Sequence, residues 1–174
     1  MRLLKVGSLI SILCCLLVFT NQSTYAYSFT GVKICTYYVN YRFGGNLFPE
    51  HKAGFVYAMS DWNSMQSKRR FRNAGSSANG ALDSYYLDDY VEYGYTYILY
   101  NQDTKCITAW VSKINWYFNE TMYETFARSV GGHELGHTLG LDHTNNRALM
   151  NYNRDRWVIY RPQTDDLNGV NALY

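Results

Sequence analysis

His133-Glu134-Leu135-Gly136-His137-Thr138-Leu139-Gly140-Leu141-Asp142-His143 is the stretch from which the rest of the chain can be read. Residues four apart on a helix share a face, so a helix here aims the imidazoles of His133 and His137 at one point. Glu134, one step on, points beside that point. A continuing helix would carry residue 144 away from it. The chain must therefore turn after Gly140, where glycine tolerates a positive φ, if His143 is to return as a third ligand. Three neutral imidazoles suit Zn²⁺, and a fourth position left to water distinguishes a catalytic from a structural zinc site. Three of only four histidines fall within these eleven residues. The fourth, His51, follows Pro49-Glu50 in an expected loop and carries no ligand role.

Working outward, Thr121 stands three before Glu124 in a capping-box arrangement, which predicts a helix starting near Met122 and stopping at Gly140. Asp165 to Leu173 reads as a short final helix with acids at its positive end. Towards the N-terminus, Val32 to Val39 reads as a strand closed by Gly44-Gly45-Asn46. Ala53 to Met65 places Phe55, Val56, Met59 and Trp62 at helical spacing. Asn73 to Gly80 reads as loop, and Tyr93 to Tyr100 and Ile107 to Trp116 as two further strands.

The first 26 residues carry Arg2 and Lys5, an uncharged apolar run from Val6 to Thr20, and small residues at Thr24 and Ala26. This is the pattern of a cleaved signal peptide, with an apolar run too short for a membrane span. Residues 1–26 are expected to be the leader and 27–174 a single domain, exported and free of stable membrane association. With Arg2 and Lys5 gone, the sixteen basic residues become fourteen against fourteen acids. No basic surplus remains to recruit nucleic acid. Lys68 to Arg72 reads as a solvated basic loop. Cys35 and Cys106 remain, and an oxidising compartment favours one disulfide between them, with two free thiols as the alternative. A hydrophobic fraction of 47% is ample for a packed core.

HExxHxxGxxH is the metzincin signature, and the chain resembles the matrixin-like branch. Ala148-Leu149-Met150 is similar to the Met-turn of that group, and Arg161 to Tyr174 is similar to its C-terminal helix. The resemblance implies an α+β fold: a twisted, mixed but mostly parallel sheet of about five strands with an antiparallel edge strand, a long zinc-binding helix and a C-terminal helix. It implies a secreted zinc endopeptidase, monomeric, that takes extended protein or peptide substrates along a sheet edge, with Tyr93 to Tyr100 the candidate edge. His133, His137 and His143 would hold one zinc ion and Glu134 would activate water.

The chain departs from the group in three ways. Nothing between the leader and the first strand supplies a latency segment, and no loop suits additional structural zinc or calcium ions. Asn151-Tyr152 stands where matrixins usually place proline two after the methionine. A tyrosine there resembles astacins and serralysins, which would give Tyr152 a role on zinc or on the oxyanion. Two other readings share the motif: a hydrolase of cell-wall peptide or another non-protein amide, and a secreted module that binds zinc without turnover.

Overall fold

The computed structural model describes residues 27–88 and 92–174; the expected leader lies outside the described residues. Ten regular elements follow in chain order: β1 (Ser28–Phe29), β2 (Tyr38–Phe43), α1 (Pro49–Met65), β3 (Arg70–Asn73), β4 (Gly80–Tyr85), β5 (Gly94–Tyr100), β6 (Ile107–Asn115), α2 (Glu124–Thr138), β7 (Leu141–Asp142) and α3 (Thr164–Leu173). Five strands form one sheet in the order β3-β2-β4-β6-β5. The first four run parallel, and β5 lies antiparallel to β6 at the edge. This is the α+β, mostly parallel sheet with an antiparallel edge that the resemblance implies.

The core lies between this sheet and the two long helices. Pro49 opens α1 at a position whose missing N–H costs nothing, and Phe55, Ala58, Met59 and Trp62 point inward from it. Gly54 lets α1 approach α2 closely, since a Cβ there would fall 2.6 Å from that of Ala127. The helices are joined by the Trp62 indole N–H, which donates to Gly132 O at 2.9 Å. Asp61 adds a buried anchor: its carboxylate accepts two 2.7 Å bonds from Arg128 and one of 3.0 Å from Arg161.

The predicted strand at Val32 to Val39 begins late. Val32 and Ile34 alternate inward as a strand requires, but their neighbour is the loop at Lys105 and Cys106, so only Lys33 and Cys106 make a bridge. Cys35 and Cys106 are joined by a disulfide across 71 residues at that spot. Closing a loop of this length stabilises by about 4 kcal/mol in the chain-entropy picture. The predicted loop from Asn73 to Gly80 holds a 3₁₀ turn and runs into β4, a strand the sequence did not announce because Gly80, Asp83 and Ser84 dilute its pattern. Gly80 is needed there, since a Cβ would fall 2.1 Å from the Trp110 ring. The basic run is a loop only at Lys68 and Arg69. Its residues 70–72 belong to edge strand β3, with Arg72 over the Tyr38 ring and Arg69 over that of Tyr174, charges that discourage pairing with another sheet.

Neither His51 nor Thr121 sits where the sequence reading put it. His51 is on α1 and fully buried. The Phe48 N–H donates to Ser84 Oγ, Ser84 Oγ–H donates to His51 Nδ1 at 2.7 Å, and His51 Nε2–H reaches Thr121 Oγ1 at 3.2 Å. Thr121 therefore caps nothing. It lies in a 3₁₀ turn before α2 and gives its proton to a carbonyl, Phe118 O at 2.7 Å or Asn115 O at 3.0 Å, while Tyr123 begins the helix without a side-chain cap.

Burial lowers the His51 pKa to about 4, Glu50 pulling weakly the other way. The unfolded chain then takes up this proton first. The stability His51 allows is complete above about pH 6.5 and drains away as the pH falls towards 4, by up to about 3 kcal/mol. The stability gap between the native protein and His51→Gln should accordingly shrink by about that much between pH 7 and pH 4 in urea unfolding. A pH-independent gap would take the acid response away from His51.

Candidate active site

α2 carries His133, Glu134 and His137 and ends where Gly140 N–H donates to His137 O at 2.9 Å. Gly140 has φ +89°, the turn its glycine was expected to permit. The next two residues form β7 and pair with β1, Ser28 opposite Asp142 and Phe29 opposite Leu141. That pairing fixes the backbone leading into His143, which comes back over the helix.

The three Nε2 atoms converge, His143 standing 3.1 Å from His133 and 3.2 Å from His137. Nitrogens around a tetrahedral zinc with bonds of about 2.0–2.1 Å stand roughly 3.3 Å apart, so the spacing suits the ion. The proton inventory agrees. His133 Nδ1–H donates to Leu149 O at 2.8 Å and His137 Nδ1–H to Leu141 O at 2.9 Å, so both Nε2 atoms are bare acceptors. His143 has at most one proton to offer the two, whereas a cation serves all three lone pairs. Burial lowers the pKa of His133 well below the usual histidine range and that of His137 to about 4, which keeps both imidazoles in the neutral form a metal binds. Among the described residues this is the group of three able to hold a metal ion.

Ala148, Leu149 and Met150 are buried against the same helix. A Cβ on Gly136 would fall 2.3 Å from Met150 Sδ, so the methionine occupies the space glycine leaves. What holds this turn is Asp166, on the first turn of α3. Its carboxylate accepts the N–H groups of Leu149 (2.7 Å), Met150 (2.9 Å) and Gln163 (2.7 Å). Burial raises the Asp166 pKa against the pull of these three donors. The sequence shows an acid at a helix start and nothing of the turn it grips.

Glu134 is 4% exposed and faces a cleft of about 360 Å³ beside the imidazoles. Thr96 Oγ1, on edge strand β5, lies 2.9 Å from both its carboxylate Oε2 and its backbone O. Burial pushes the Glu134 pKa up to about 8, with the Thr96 bond opposing. A divalent cation among the three imidazoles is the charge that favours its ionised form. Tyr152 is exposed at the rim, its ring 5.5 Å from that of His143. Arg154 and Arg156 line the same cleft and, like Thr96 and Asp166, were not singled out by the sequence. Cys35 and Cys106 do not contribute to the metal cluster.

The matrixin family model matches residues 62–174, from the second half of α1 to the end of the chain. The chain belongs to the matrixin family. No curated protein matches it. Matrixins are zinc-dependent metalloendopeptidases that act on proteins and peptides, and this matrixin presents three imidazoles able to hold the ion. No helix among its described residues is long and apolar enough to cross a membrane.

Proposed function

We propose that this matrixin is exported with residues 1–26 removed as a leader, and that outside the cell, as a monomer, it cleaves extended peptides with His133, His137 and His143 holding one zinc ion. The observation that carries the reading is the set of three converging Nε2 atoms, those of His133 and His137 bare, with the Glu134 carboxylate beside them in an open cleft. The Cys35–Cys106 disulfide and the usual extracellular location of matrixins support export.

When bound, the ion supplies Lewis-acid polarisation of the scissile carbonyl and of the attacking water. Glu134 takes a proton from that water as its oxygen bonds to the carbonyl carbon. It then gives the proton to the amide nitrogen as the C–N bond breaks. Thr96, donating to Oε2, holds the carboxylate in line for both transfers. Tyr152, at the rim beside His143, offers its hydroxyl to the developing oxyanion. β5 has one edge taken by β6 and the other open, so an extended substrate adds there by main-chain hydrogen bonds.

Incubating the protein with a mixed peptide library and sequencing the products by mass spectrometry tests this. Cleavage is expected with about one zinc per chain, to disappear on chelation and to return on adding back zinc. Products from cell-wall peptide alone would redirect the reading to a non-protein amide. Zinc uptake without cleavage of any substrate would leave only a metal-binding module.

A further inference from the structure

The cleft beside the imidazoles is walled by two guanidinium groups that have no carboxylate partner among the described residues. Arg154 is 6% exposed and faces neutral groups: Ser129 Oγ at 3.1 Å, Ser129 O at 2.8 Å, Asn151 O at 3.1 Å and, at 3.2 Å, Nδ1 of the His133 imidazole. Arg156 is partly buried over the Tyr93 ring, 4.4 Å from its centroid, and donates to Tyr152 O at 2.9 Å. Its Nε is buried and has no partner among the described residues. Both ion pairs among the described residues involve Asp61, away from this cleft. Of the two acids on the cleft wall, Glu134 is already bonded to Thr96, and Glu92 is exposed and outside ion-pair distance of either arginine.

Burying a cation against neutral groups alone is unfavourable and stays so until an anion reaches it. An anion bonded to a guanidinium makes the stronger, charge-assisted class of hydrogen bond. Among the other wall residues, Tyr93 and Val130 suit a short hydrocarbon stem.

We propose that this cleft selects substrates bearing an aspartate or glutamate side chain at a residue flanking the cut bond, with Arg156 as the carboxylate's partner and Arg154 completing the positive wall. The proposal rests on the peptidase reading above and assigns the substrate class of that same site.

The test uses quenched fluorescent peptides that differ only in carrying Glu, Gln or Leu at each position flanking the cut. For the zinc-loaded native protein, kcat/KM for the Glu peptide should exceed that for the Gln peptide by about tenfold or more at one of the two positions. Arg156→Gln should bring the ratio to within about twofold of unity, while Arg156→Lys, which keeps the charge, should retain a clear preference. Equal or faster cleavage of the Gln and Leu peptides by the native protein overturns the proposal and leaves the peptidase reading standing. A ratio unmoved by Arg156→Gln overturns the assignment to Arg156. Affinities of the same peptides for Glu134→Ala, read by fluorescence anisotropy, separate the two readings further. Tighter binding of the Glu peptide in a protein whose native form cleaves nothing keeps the anionic selectivity and removes the peptidase. Equal binding of all three peptides there removes the selectivity.

Discussion

Glu134→Gln is expected to leave the protein with about one zinc ion per chain and to lower kcat/KM on any cleaved peptide by roughly 10²–10⁴-fold, the usual worth of a positioned general acid–base group. The amide has the shape of the carboxyl group and can still accept the Thr96 hydroxyl that now lies 2.9 Å from Oε2, so the site should keep its form. What it loses is a group able to take up and return a proton. A second readout comes from the metal-free protein. Burial pushes the Glu134 carboxyl up to about 8, above its value in the unfolded chain, so folding favours the protonated form. The contribution is whole below about pH 4.5 and is lost as pH rises towards 8. Without metal, the glutamine variant should therefore be the more stable of the two by roughly 3 kcal/mol at pH 7, and the advantage should vanish near pH 4. Activity within tenfold of the native protein would remove Glu134 from the proposed chemistry, whatever the melting curves show.

The second large effect is expected away from the chemistry. Gly140→Ala forces a side chain onto a residue at φ +89° and drives its Cβ to 2.5 Å from Val32 O and 2.7 Å from Leu173 Cδ2. The left-handed backbone alone costs about 1–2 kcal/mol, and the backbone carbonyl has no flexible end to yield. A total loss of about 3 kcal/mol or more is expected in denaturant unfolding. The turn also sets the path of β7 into His143, so zinc affinity measured against a competing chelator should fall by about 10–100-fold. Gly45→Ala, with nothing within 4 Å of its Cβ and no positive φ, is the control and should shift stability by less than about 0.5 kcal/mol. Indistinguishable melting and metal affinity in the two variants would mean that the turn is not what returns the third imidazole.

How much of this was legible in the sequence depended on the range of the forces involved. His133, Glu134, His137 and Gly140 could be read because the helix repeat and the glycine turn act within a few residues. The parallel sheet and its antiparallel edge came from the resemblance, since strand order is a matter of long-range pairing. β4 was missed for a local reason, since Gly80, Asp83 and Ser84 dilute its pattern; the ladders to β2 and β6 and the Trp110 ring make it a strand. His51, taken for a loop residue, is buried by partners on β4 and before α2 that are 33 and 70 positions away. The capping box expected at Thr121 and Glu124 exists instead at Gln163 and Asp166. There the same local chemistry is combined with a grip on a distant turn that no spacing rule contains.

That grip would give the C-terminal helix a hand in how long an ion stays in the site. The turn packed against the metal helix hangs by two N–H groups from one carboxylate on α3, and His133 is oriented by a carbonyl of the same turn. Any peeling away of α3 slackens the imidazole that its own helix cannot aim alone. An ion held by these imidazoles would thus owe part of its dwell time to α3 staying docked.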